Sequence, residues 1–467
     1  MNMGEIRLKR LIIEHFRGFY EPQSLEFAIP SGKSGSGLTV IVGPNNSGKS
    51  TVLEAIKRFV KNDPQFKEGE RHNNYNVRLG IENTEGGKKT IRTYGGSNAK
   101  YEGITIYPTV NDFYLISARK YWQPFFSPSS LDRNSYRNQL FSIDRVGSDS
   151  DFGRRVADIE KDPAKKQKFD ELMKSLLPNF KSWVIELNET SQNYIKYTTG
   201  KGDTHNSDYW GDGIISLFKI VASFAEEDSR EILVIDEPEL SLHPQLQKRL
   251  AVLLAKYSTN KQIILITHSP YFIRWEDFEN GAKIIRLNKK EDKQCETFFL
   301  KNDNTYYEKL IILSEDWQRP YLLDTVAREI FFSENIVFVE GQEDMGLIKK
   351  FIKEKSFEYK FEIFGYGSGG AGNIIAFLEM AKDLGINAGA IFDGNQAELE
   401  QKAKTNFPSF CIKKLSKDDI RDKFDDLGKQ TKDGLFDKDG NIKAECEDAM
   451  KQILIDLNNH FMDYAKS

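Results

Sequence analysis

Residues 41 to 51 read IVGPNNSGKST, and no other stretch restricts the fold of this chain as tightly. Ahead of it, LTVIVG is a short β-branched run that reads as a buried strand. Behind it, STVLEAIKRFV carries apolar residues at helical spacing. A strand, a glycine-rich turn and a helix in that order make a phosphate cradle. Gly43 and Gly48 let backbone N–H groups turn inward, with Asn45, Asn46 and Ser47 between them. The helix N-terminus adds its partial positive charge. Lys49 is placed to reach the β- and γ-phosphates, and Ser50, followed by Thr51, to bring a hydroxyl to Mg²⁺. The expected ligands are ATP and Mg²⁺.

A second stretch complements the first. EILVIDEPELSLHP, residues 231 to 244, is a strand that ends in two carboxylates. Asp236 is placed to hold Mg²⁺, directly or through water, and Glu237 to polarise an attacking water. One helical pattern later, PQLQKRLAVLLAKY, a further strand QIILITHSP ends in His268, which is in line to sense the γ-phosphate.

The chain is too long for one ordinary core: at roughly 100–200 residues per domain, 467 residues imply two or three. A net charge of -4 excludes a globally basic nucleic-acid binder but leaves room for a local basic face. Cys295, Cys411 and Cys446 form neither a metal-ligand spacing nor an even disulfide set, as in a reducing compartment. No apolar run approaches the roughly 18 residues that span a bilayer, and the N-terminus lacks the apolar core of a signal peptide. The expectation is a cytoplasmic protein with no membrane partner.

GPNNSGKST, LVIDEPELSLHP and ITHSP resemble the Walker A, Walker B with D-loop, and His switch of ABC-type ATPases. They are most similar to the branch related to DNA-repair and chromosome-maintenance ATPases, whose opening strand IIEHFRGF also matches. The resemblance implies that Arg17 lies near the nucleotide. It also implies a homo-oligomer formed through the ATPase heads, in which the signature helix of one subunit closes the site of another. The family writes that signature Ser-x-Gly. Here it is Gly211-Asp212-Gly213, so the contact across subunits loses a hydroxyl. The branch also inserts long heptad arms, whereas residues 60 to 208 contain no sustained heptad. A coiled-coil arm is excluded, and with it a DNA-tethering ATPase of the repair type becomes the weakest reading.

Beyond residue 300 the pattern changes. IVFVEG is a strand ending at Glu340, and Asp344 comes in the first turn of a helix. FEIFGYGSGGAGNIIAFLEMAKDLG repeats strand, glycine turn and helix, and AGAIFDGNQ is a strand ending at Asp393. Acidic residues at the C-terminal ends of adjacent parallel strands converge, and repel one another unless divalent cations sit among them. This order resembles a TOPRIM domain, the Mg²⁺-dependent fold of topoisomerases, primases and some nucleases. An ABC-type ATPase followed by TOPRIM resembles the OLD family of nucleases, found in anti-phage defence.

The resemblance implies an α/β fold, with an ABC-type ATPase domain at 1–325 (helical insert roughly 120–205) and a smaller TOPRIM-like parallel-sheet domain at 326–467 with C-terminal helices. It implies an ATP-regulated, Mg²⁺-dependent DNA endonuclease acting in prokaryotic defence, with Mn²⁺ an alternative at the TOPRIM site. A partner protein or a nucleic-acid regulator is a further expectation. Glu340, Asp344 and Asp393 would be metal ligands, and Glu340, Asp393 and Lys417 would carry the cleavage chemistry, with Lys414 an alternative for steadying the scissile phosphate. Two positions depart from the family. Its Asp-x-Asp is Asp393-Gly394-Asn395, where Asn395 offers the metal a carbonyl oxygen but no charge. Arg421 stands where a glutamate is usual, leaving Asp418 or Asp419 to substitute. The alternative is an ATP-gated sensor or scaffold whose TOPRIM-like domain docks a partner or nucleic acid without cutting it.

Overall fold

The computed structural model describes residues 6–60, 65–71, 75–103, 108, 112–116, 150–189, 192–226, 232–289, 294–301, 305–316, 318–319 and 321–466. The chain divides into two compact units, with the change at Thr297/Phe298; a short piece, Gly43–Asn45, groups with the second.

In the first unit, the P-loop strand Leu38–Val42 lies inside a six-stranded sheet. On one side stand the switch strand Gln262–Ile266, the Walker B strand Ile232–Asp236 and the strand Phe113–Ile116. On the other stand Lys283–Lys289 and Cys295–Phe299. The P-loop, switch and Walker B strands are buried along their whole length. That is what a parallel sheet covered on both faces requires, and why these strands read as unbroken apolar runs. The parallel register sets Asp236 beside Ile266 and Leu265 beside Val40, so the three motif-bearing ends emerge together. A separate antiparallel sheet, ordered Gln23–Glu26, Leu8–Glu14, Arg78–Asn83, Lys88–Thr93 and Ala99–Gly103, completes this unit with the insert.

The insert differs from the helical segment expected. Its described part holds two helices, Ser150–Lys161 and Pro163–Leu176, and then a three-stranded antiparallel sheet. The strands Phe180–Leu187 and Asn193–Thr199 are rich in aromatic and β-branched residues and pair in register, with Ile185 opposite Ile195 and Trp183 opposite Tyr197. Phe180, Trp183 and Tyr197 pack around Phe218 of the signature helix. The lysine-rich segment ahead of these strands keeps its helical propensity, and beyond Leu176 cross-strand pairing sets the structure instead. The basic cluster ARKY, residues 118–121, and the aromatic run after it lie outside the described residues.

The second unit is built on a four-stranded parallel sheet ordered Glu362–Ile363, Asn335–Phe338, Asn387–Phe392 and Cys411–Lys414. Helices Gln342–Glu354, Ala371–Asp383 and Ala397–Asn406 make the crossovers. The C-terminal part of this unit is less helical than expected: short ribbons over 419–436 precede a single long helix, Glu447–Lys466. That helix presses Met450, Leu454, Leu457 and Phe461 into a core shared with Val337, Val339 and Ile391. Among the described residues, no helix is long and apolar enough to cross a membrane.

Candidate functional site

The P-loop turns through Gly43 at φ 137, Asn46 at φ 63 and Gly48 at φ 101 before the helix Lys49–Val60 begins. Ser47 and Lys49 point inward and are buried, whereas Asn45, Asn46 and Ser50 remain exposed. Thr51 is buried in the first helical turn and closes on Gly48 O at 2.9 Å. Lys49 Nζ lies 3.4 Å from Ser47 Oγ. Burial pulls the Lys49 ammonium down to about 8, against the opposing pull of Glu237, Asp236 and Glu239. An ammonium desolvated in this way favours a polyanion in the cradle.

Asp236 is buried at the Walker B strand end. Glu237 comes next in the left-handed region, φ 46, with its N–H donated to Ile266 O at 2.8 Å. His268 Nε2 stands 3.7 Å from Glu237 Oε1, bringing the expected base and the expected sensor side by side. Burial, then the Lys49 charge, push His268 below the usual imidazole range, with Glu237 opposing. Sequence reasoning missed Glu239. Its carboxylate accepts from the Thr267 hydroxyl at 2.7 Å and from the His268 N–H at 2.6 Å. Burial holds its carboxyl above the usual range. Its place two residues beyond Glu237 was the available signal.

Arg17 also takes a left-handed conformation, φ 52, and places its guanidinium 2.6 Å from Glu70 Oε1. Cys295 Sγ lies 2.6 Å from where a Cβ on Gly18 would be and 2.9 Å from where one on Gly48 would be. The Arg17–Gly18 turn and the P-loop therefore pack on one thiol. The signature glycines differ from each other. Gly211 caps the helix Asp212–Ala225, and a Cβ there would meet open space. A Cβ on Gly213 would sit 2.4 Å from Ser241 O, so close packing on the D-loop requires glycine at 213.

In the second unit, Glu340 and Asp393 leave the ends of adjacent parallel strands, and Glu340 Oε1 accepts the Asp393 N–H at 2.9 Å. Asp344 is buried and caps its own helix by accepting the Gly341 N–H at 2.6 Å. Burial, then Asp344, Glu340 and Asp419, push the Asp393 carboxyl up to about 8. Burial raises Asp344 to about 7, with Glu340 and Asp419 adding to it, and Glu340 is raised by burial as well. Asp419 is buried among these carboxylates, whereas Asp418 is exposed, so the structure separates the two candidates. Lys432 Nζ, which sequence reasoning did not single out, lies 2.7 Å from Asp419 Oδ2 and also feels Asp393 and Glu340.

Other expected residues face elsewhere. Lys417 Nζ pairs with Asp433 at 2.6 Å, while Lys414 Nζ donates to Gly394 O at 3.2 Å. Asn395 is exposed. Arg421 Nε pairs with Glu343 at 2.5 Å, so the residue that replaces the usual glutamate neutralises a neighbouring carboxylate. The donor chemistry suits a divalent cation: hard carboxylate oxygens, buried and mutually repelling. Among the described residues, no set of three His, Cys, Asp or Glu side chains forms a ready-made metal cage. A cation here would take one or two carboxylates and complete its shell otherwise, as Mg²⁺ usually does.

Comparison with known proteins agrees with this division. Residues 38–274, half of the chain, match the family described as "AAA domain, putative AbiEii toxin, Type IV TA system". Residues 331–394 match the TOPRIM domain of overcoming lysogenization defect protein-like proteins. The chain is 27% identical to endonuclease GajA of Bacillus cereus over 36% of this chain and 27% of that one. It is 22% identical to the OLD nuclease of Thermus scotoductus over 41% of this chain and 35% of that one. It is 23% identical to Septu protein PtuA of Bacillus thuringiensis over 51% of this chain and 67% of that one. The chain thus spans about a quarter to a third of the two nucleases it matches. The two domains imply nucleotide and divalent-metal use. The chain belongs to the AAA family matched over residues 38–274, and it carries an OLD-like TOPRIM domain behind that ATPase.

Proposed function

We propose that this chain is an ATP-regulated, divalent-cation-dependent DNA endonuclease acting in prokaryotic defence. The observation that carries the reading is the set of Glu340, Asp344, Asp393 and Asp419, mutually coupled beside a parallel-sheet end. Burial and the neighbouring carboxylates raise Asp344 and Asp393 to about 7 and about 8, and a divalent cation among them would favour their charged forms. Glu340 and Asp393 would hold that ion, with Asp344 and Asp419 adding charge behind them. When bound, it would stabilise negative charge on a scissile phosphate. Lys432, paired with Asp419 and within the influence of Asp393 and Glu340, would meet an approaching phosphate better than Lys417, whose amine pairs with Asp433. In the other unit, Lys49 would bind the triphosphate, Asp236 and Ser50 would hold its Mg²⁺, and Glu237 would take a proton from the attacking water. The names of two relatives, an endonuclease and an OLD nuclease, support the cleavage reading. The defence role and the homo-oligomer rest on family resemblance.

A second reading draws on Arg421 and Asn395. With Arg421 on Glu343 and an exposed amide at 395, the site carries less charge than a two-metal centre, as a non-cleaving ATP-gated scaffold would. Supercoiled plasmid incubated with the protein and Mg²⁺ or Mn²⁺, with and without ATP, separates the two. Nicked or linear product that EDTA abolishes is the expected result. Intact plasmid under every metal, with ATP hydrolysis retained, leaves the scaffold reading in its place.

A further inference from the structure

We infer that Glu239 is the positioning residue that holds His268 for nucleotide hydrolysis, an inference that rests on the ATPase part of the reading above. Glu239 lies in the turn after the Walker B strand, closed by Leu240 N–H to Glu237 O at 3.2 Å and Leu242 N–H to Glu239 O at 3.0 Å. Its two oxygens reach across to successive residues of the switch loop, Oε2 to the Thr267 hydroxyl and Oε1 to the His268 backbone N–H.

The next residue is fastened as well. Ser269 Oγ donates to Gln247 Oε1 at 2.6 Å, and Gln247 Nε2 donates to Leu242 O at 2.8 Å. The turn, Glu239, the switch loop and Gln247 therefore close a hydrogen-bonded ring with His268 in the middle. Its backbone is held on both sides, and its imidazole faces Glu237. Rotation of the 267–268 peptide away from the nucleotide would break the bond to Glu239. Both groups that Glu239 meets are donors, and a carboxylate is the side chain that accepts at both of its ends. The same turn presents Ser241 O to Gly213, so the ring also braces the signature helix.

The test uses the full chain. A misplacement near 1 Å costs on the order of a hundredfold in rate, so Glu239→Ala is expected to lower kcat by roughly tenfold to a hundredfold. The Kd of a non-hydrolysable ATP analogue should stay unchanged, because no phosphate ligand is removed. Glu239→Gln keeps an acceptor for the His268 N–H and is expected to restore most of the rate. Amide exchange across 267–269 should accelerate in the alanine variant and not in the glutamine variant. Unchanged kcat in Glu239→Ala overturns the inference. So does a parallel loss of kcat, analogue binding and thermal midpoint that glutamine fails to rescue, which would mark a purely structural residue. A wild-type chain that binds ATP without hydrolysing it sinks the ATPase reading and this inference together. That outcome shows in the wild-type arm alone, and so is distinguishable from failure of the inference by itself.

Discussion

The nucleotide site and the carboxylate site bury charged groups of opposite sign, a lysine in one and carboxylates in the other. In the first, Lys49 has carboxylates around it, yet burial still pulls it down to about 8. In the second, Asp344 and Asp393 are pushed up to about 7 and about 8, with Lys432 opposing the rise at Asp393. An underhydrated ammonium is stabilised by phosphate, and crowded carboxylates by a divalent cation. On the reading proposed above, the P-loop lysine and the TOPRIM carboxylates call for ligand charges of opposite sign, so a change to one group should leave the other group's ligand unaffected.

The sharpest test of that opposition is Lys49→Ala. Removing one member of a buried charge pair costs about 3–5 kcal/mol, so the Kd for ATP should rise more than about a hundredfold. Divalent-cation affinity at the TOPRIM site, read by calorimetry with the P-loop vacant, should not move. If it falls in parallel, the two sites are not independent and the comparison breaks.

Glu340→Ala and Asp393→Ala are the mirror experiment. Plasmid cleavage should drop to background, and cation affinity should weaken by roughly tenfold or more. ATP turnover should persist. Cleavage that survives both substitutions would place the nuclease chemistry elsewhere.

Acidity gives a smaller effect with a defined sign. Asp393 titrates near 8 in the fold and near 3.8 when unfolded, so between these values the folded state holds the extra proton. Its contribution to stability is present below the unfolded pKa and is lost as pH rises through about 8. Cation-free protein should therefore lose thermal stability across that window. Mg²⁺ or Mn²⁺ should raise the midpoint by ~2–4 °C more at about pH 8.5 than at about pH 6. An equal gain at both values would mean that the cation does not meet these carboxylates.

The smallest change is Asn395→Asp. One added carboxylate at an exposed position should tighten cation binding by less than about tenfold, with the gain clearest at low Mg²⁺. Weaker binding would show that residue 395 points away from the ion.

Legibility in the sequence tracked the physical range of each contact. LTVIV, ILVID and QIILI announce their fold because a strand buried on both faces leaves no alternation to misread. The insert was misjudged because its lysine-rich helices carry a strong local signal, while the strands after them depend on cross-strand partners. Asp418 and Asp419 could not be separated, since a strand begins at Asp419 and its pairing with a distant ribbon, not the local sequence, turns one of the two adjacent carboxylates inward. Lys432 gave no signal, because its meaning comes from Asp419 across a ribbon. Glu239 stood in plain view beside a recognised motif, but its partners lie at 267 and 268, beyond an intervening helix.

The left-handed backbone at Glu237 has a consequence for selection. A side chain held at φ 46 costs roughly 1–2 kcal/mol that glycine would not incur. Glu237→Gly should thus yield a protein that melts higher and hydrolyses no ATP. A library of this chain screened only for heat resistance or soluble yield would drift toward glycine at 237 and return well-behaved, inert clones. Screens of this chain therefore need a turnover readout beside the stability one, because at this position the two select against each other.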